Sequence, residues 1–85
     1  MGQVRRFPAD AALAAIDESV TSNARILGID GFRIVPGGFE ASFDLILDVS
    51  YSHISNAGAA VAAREFIRRK AGEDVLFEVW TDLNG

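Results

Sequence analysis

Cysteine is absent from this 85-residue chain, which removes disulfides, thiolate metal sites and cysteine nucleophiles from consideration. Histidine occurs once, at His53, and the sequence supplies no orienting partner or second catalytic group for it. A basic excess is also missing. Eight Lys and Arg stand against twelve Asp and Glu, for a net charge of −4, which disfavours nonspecific binding to nucleic acid or anionic lipid, both polyanions. No run approaches the ~18 apolar residues of a membrane span. Asp10 interrupts any apolar signal region after Arg5-Arg6-Phe7-Pro8, and Arg6 stands where a myristoylation motif would place Ser or Thr. The expected setting is the cytoplasm, with no membrane and no nucleic-acid partner.

What remains is an ordinary globular balance, 49% apolar and 24% charged, enough for one hydrophobic core and one domain over residues 1–85. Pro8 suits a first helical turn, and Asp10 suits the positive end of the helix dipole. Ala9, Leu13, Ile16, Val20, Ala24 and Leu27 recur at three- and four-residue steps, so the spacing predicts a helix from Pro8 to Leu27, stopped by Gly28. A rival reading folds Asp30-Gly31 into a hairpin turn between Ile26–Ile29 and Phe32–Val35. The helix is preferred because it keeps Leu27 in phase with Val20 and gives Gly28 a role.

Phe32–Val35 reads as a short strand and Pro36-Gly37-Gly38 as a turn. Phe39, Ala41, Phe43, Leu45, Leu47 and Val49 then alternate with Glu40, Ser42, Asp44, Ile46, Asp48 and Ser50. That pattern predicts one buried face and one mostly acidic face. Ser55 caps a second helix from Asn56 to Ala71, ended by Gly72, with Ala59, Ala62, Ala63, Phe66 and Ile67 as its apolar stripe. Val75, Phe77 and Val79 alternate with Leu76, Glu78 and Trp80 in a final strand. Val4–Phe7 is a further candidate strand, expected between the strands that hold Phe43 and Phe77.

The expected class is therefore α+β, with two helices packed on one face of a small antiparallel sheet in the order (β)-α-β-β-α-β. This arrangement is ferredoxin-like if the N-terminal strand forms. Families that share that layout do not match on their motifs. A metal chaperone would need a Cys-x-x-Cys pair. An RNA-recognition domain would need exposed aromatics where Glu40, Ser42 and Asp44 alternate.

No residue is assigned a catalytic, cofactor-binding or metal-binding role. Asp44 and Asp48 lie on one strand face roughly 13 Å apart, too far to share an ion without a third ligand. Arg64, Arg68, Arg69 and Lys70 sit near a helix C-terminus, where the dipole alone favours cations. Trp80 points away from the helices by parity, with Leu76. Ile46 and Val35 join it there, along with Arg33, Asp44 and Asp48. Contiguous exposed apolar area marks an interface, and tryptophan is a frequent hot spot. The sequence thus reads as a non-catalytic interaction module, a homo-oligomer or the binder of a protein partner, acting through an acidic-apolar sheet face. The alternative is a small enzyme or ligand-binding domain built on Tyr51, His53 and Ser55, where a helix N-terminus could hold an anion.

Overall fold

The computed structural model describes residues 6–50 and 53–82. Its first element, α1 (Ala9–Thr21), follows the extended Pro8 and buries Ala12, Ile16 and Ser19. The Ser19 hydroxyl donates to the Ala15 carbonyl at 2.8 Å, so that buried group is satisfied. The helix stops earlier than its periodicity predicts. Asn23 takes a left-handed φ of 61°, its amide donates to the Val20 carbonyl at 3.2 Å and the Ala24 amide to the Ser19 carbonyl at 2.8 Å. This is a helix-ending motif that Asn tolerates without a glycine. Asn56 then holds the released chain from across the core. Its side chain accepts from the Ile26 amide at 2.9 Å and donates to the Ala24 carbonyl at 2.8 Å.

The chain continues as β1 (Arg25–Val35), running straight through Asp30-Gly31 with no hairpin there. Both the long helix and the rival turn give way to one eleven-residue strand. Pro36 and Gly37, the latter at φ +87°, make the turn into β2 (Gly38–Asp48). Ser55 caps α2 (Asn56–Lys70), its hydroxyl accepting from the Gly58 amide at 3.0 Å, and β3 (Val75–Asp82) closes the order. The strands form an antiparallel sheet ordered β2-β1-β3. Both helices pack on one face, as expected for the α+β class. Ala59, Ala60 and Ala63 let α2 approach closely, and with Ile16, Ile29, Leu45, Ile67 and Phe77 they form the core.

The place expected for Val4–Phe7 is held by β1, which lies between β2 and β3. Phe7 pairs instead with Phe77 on the other side of β3, each amide donating to the other's carbonyl at 2.7 Å. Val4 and Arg5 lie outside the described residues.

Register decides which side chains face the helices, because directly paired residues share a face. Ile29, Gly31 and Arg33 pair with Val79, Phe77 and Val75 on the helix side. Gly28, Asp30 and Phe32 pair with Trp80, Glu78 and Leu76 on the open side. Along β2 the pairing is interrupted. Gly28–Asp30 match Asp48–Ile46, and Phe32–Val35 match Ala41–Gly38. Four residues of β2, Ser42 to Leu45, thus face Gly31 alone, and the excess is odd. Any Cβ on Gly31 would fall 2.8 Å from that of Leu45, so the irregularity depends on a residue with no side chain there.

An odd excess reverses the alternation. Leu45, Leu47 and Val49 face the core as the pattern predicts, but Phe39 and Phe43 are exposed, as is Ala41. The same register corrects Val35 and Arg33. They fall on the parity of Val75, the helix side, and Phe32 and Ile34 take the open side.

Candidate functional site

Three strands contribute to the open face in rows. Trp80, Gly28 and Asp48 form the first, and Glu78, Asp30 and Ile46 the second. Leu76, Phe32 and Ala41 follow, and Ile34 with Phe39 lies beyond them. The second row places two carboxylates directly across a strand pair, which is unfavourable unless each finds a donor. Each does. The Trp80 indole Nε1 donates to Asp30 Oδ2 at 3.0 Å, and Arg6 Nε lies 3.2 Å from Glu78 Oε2. Glu78 is only 6% exposed, so Arg6 supplies the countercharge that a nearly dry carboxylate requires.

Arg6 reaches this position because Phe7, its neighbour, is pinned to Phe77 with its side chain against the core. Alternation then directs Arg6 to the opposite face. Its guanidinium lies 4.6 Å from the Phe32 ring centroid and 4.7 Å from that of Phe39, within the range of a cation–π contact.

Toward the other end of the face, a groove of about 300 Å³ runs over Gly28, bordered by Trp80, Asp30, Ile46 and Asp48. A second hollow, about 250 Å³, lies among Ala41, Ser42, Phe43 and Ile46. Ile46 borders both, so apolar surface continues from Trp80 through Ile46 to Phe43. Trp80 is 47% exposed, Ile46 46% and Phe43 95%.

The structure therefore brings together Trp80, Leu76, Ile46 and Asp48 from the residues singled out in the sequence. Val35 stands apart on the helix-side parity. Asp44 is drawn to Arg33, whose Nη2 lies 2.9 Å from Asp44 Oδ2, and it also accepts from the Ser42 hydroxyl. Arg33 and Ser42 hold its carboxyl far below the usual carboxylate range. Asp48 is also held low, by hydrogen bonds from the Ser50 hydroxyl at 2.6 Å and amide at 2.9 Å.

Sequence reasoning missed Arg6, Glu78, Asp30, Phe39 and Phe43. One signal was present: an acid alternating in phase with Leu76 and Trp80 needs a cation nearby.

At the strand–helix junction, His53 is exposed, the Ser55 hydroxyl is committed to capping α2, and Tyr51 lies outside the described residues. A hollow of about 230 Å³ there includes Arg25, Ile54 and Asn56, but Asn56 is occupied by the backbone of Ala24 and Ile26. In the basic cluster, Arg64 pairs with Asp17 of α1 at 2.6 Å. Among the described residues, no group of three or more His, Asp or Glu is placed to hold a metal ion. Also among them, no helix is long and apolar enough to cross a membrane.

Comparison with protein-family models, with curated proteins and with solved structures gives no match. The functional reading rests on the residues themselves.

Proposed function

We propose that this chain is a non-catalytic interaction module that docks a protein, either a partner or a second copy, through the open face of its sheet. The observation that carries this reading is Phe43. It is a phenylalanine 95% exposed at the end of an apolar strip that includes Ile46 and Trp80. An antiparallel sheet with helices on one side leaves its other side to water or to a partner. Contiguous apolar surface of this kind favours the partner. The face gathers aromatic rings and carboxylates around exposed apolar side chains, a combination suited to recognition. On this reading the protein works in the cytoplasm.

Trp80→Ala is expected to weaken the docked complex by about 2 kcal/mol, as removal of a hot-spot residue does. Sedimentation across a concentration series reads self-association, and titration against a protein retained from lysate reads a partner. Wild-type behaviour of Trp80→Ala and Phe43→Ser in both measurements would defeat the assignment.

A further inference from the structure

If the open face docks a protein, its own chemistry restricts what that protein brings. The face already receives one cation from its own chain. The Arg6 guanidinium lies over Phe32 and Phe39, 4.6 and 4.7 Å from their centroids, with Glu78 3.2 Å away. Ring faces supply negative electron density and the carboxylate supplies charge, a pairing that selects guanidinium or ammonium groups. The groove over Gly28 repeats these ingredients, with the Trp80 ring on one side and the carboxylates of Asp30 and Asp48 at its border. Among the described residues, neither Asp30 nor Asp48 forms an ion pair. Asp30 accepts from the Trp80 indole, and Asp48 accepts from the amide and hydroxyl of Ser50. An ionised carboxylate has about four acceptor sites, so both keep acceptor capacity toward the groove.

A second copy supplies the wrong charge. Face-to-face pairing about a two-fold axis sets the same patch against itself, and would bring Asp30 and Asp48 of one copy toward those of the other. Among the described residues, the side-chain cations are engaged within the chain or stand away from this patch. Arg6, Arg33 and Arg64 are paired with Glu78, Asp44 and Asp17, and Arg25 donates to the Ser50 carbonyl at 3.1 Å. Arg68, Arg69 and Lys70 stand in the last turn of α2, on the far side of the sheet. We infer that the open face recognises a basic segment of a different protein, in which an apolar side chain adjoins arginine or lysine. The apolar group enters the groove between Trp80 and Ile46, and the cation bonds to Asp30 and Asp48.

Trp80 is the one tryptophan in the chain, so its fluorescence reports the groove directly. The probes are three synthetic peptides of equal length: alternating Leu and Arg, alternating Leu and Glu, and alternating Ser and Arg. The Leu–Arg peptide is expected to shift the Trp80 emission saturably, with affinity that falls as salt rises. The Leu–Glu peptide should not bind, and the Ser–Arg peptide should bind much more weakly. Asp30→Asn with Asp48→Asn should weaken the Leu–Arg complex by about tenfold or more. The amide oxygen introduced by Asp30→Asn can still accept from the Trp80 indole, and a thermal melt checks the fold. Glu73→Gln, in the turn that precedes β3 and away from Trp80, should bind as wild type. Equal binding of the Leu–Glu peptide, or unchanged affinity of the double variant, overturns the inference. If no peptide binds but sedimentation shows a dimer that Phe43→Ser or Trp80→Ala dissolves, the basic partner is overturned while the docking face stands. If every one of these measurements is silent, both fall.

Discussion

The two faces of the sheet are built from the same strands by the same alternation, yet they are filled in opposite ways. On the helix side, Phe77, Ile26, Ile29 and Leu45 are fully buried against small residues such as Ala12, Ala60 and Ala63. Space is filled, and the charged pair on that parity, Arg33 with Asp44, stays solvated. On the open side, Trp80, Phe39, Phe43, Ile34 and Ile46 keep large exposed areas among Asp30, Asp48 and the Arg6–Glu78 pair. Aromatic area that could have enlarged the core faces outward instead. In the proposed reading the difference separates residues placed for stability from residues placed for recognition, and substitution can test that division.

The largest contrast should come from two phenylalanines. Phe77 is fully buried and Phe43 nearly fully exposed. Phe77→Ala is expected to cost about 3–5 kcal/mol, combining lost burial with a cavity. Phe43→Ser should stay within about 0.5 kcal/mol of wild type, as surface substitutions do. Urea unfolding of both variants checks this. Equal losses of stability would mean that the reversal of β2 at Ser42–Leu45 is misplaced.

Arg6 gives a smaller effect that joins the two faces. Arg6→Ala leaves Glu78, 6% exposed, with a carboxylate that has lost its countercharge, and should cost about 1–3 kcal/mol. Adding Glu78→Gln should recover part of that loss, because the charge leaves with the carboxylate. Thermal unfolding of the two single variants and the double variant measures the coupling. An additive result would mean that the Arg6–Glu78 ion pair contributes nothing to stability.

How legible all this was in the sequence depended on the range of the deciding interaction. The facing of β3 was readable because Val75, Phe77 and Val79 alternate with Leu76, Glu78 and Trp80 without interruption. The second helix was readable because Ser55 marks its start locally, while its end falls at an extended Ala71 rather than through a left-handed Gly72. The long strand misled because an odd excess of residues opposite Gly31 resets the alternation, and that follows from where Leu45 packs. The end of α1 misled because Ala24 and Leu27 continue the helical phase, while Asn23 and the distant Asn56 commit the chain to β1. Half of the open face was visible in Trp80, Leu76, Ile46 and Asp48. The other half, Arg6 with Phe32, Phe39 and Glu78, needs the two ends of the chain brought together, which no local pattern records.

The smallest expected effect separates two carboxylates that the sequence treated alike. Asp44 is held below the usual carboxylate range first by the Arg33 guanidinium and then by the Ser42 hydroxyl, and Arg33 is raised in turn. Asp48 is held low by Ser50 alone. In both, the folded form has the lower pKa. Their contribution to stability is therefore present above the ordinary carboxylate value of about 4 and is lost as pH falls through the folded value. Both side chains are solvated, so the change in stability should be slight and weaker still in high salt. The midpoints are the better measure. In a carboxyl-carbon NMR titration, Arg33→Gln should move the Asp44 midpoint upward and leave that of Asp48 in place. Docking should show the reverse dependence. Asp44 is turned toward Arg33 on the helix-side parity, so Asp44→Asn should leave binding at the groove unchanged, whereas Asp48→Asn should weaken it. Equal effects of these two substitutions on binding would mean that charge acts at long range over the whole molecule, and that the groove beside Trp80 does not place it.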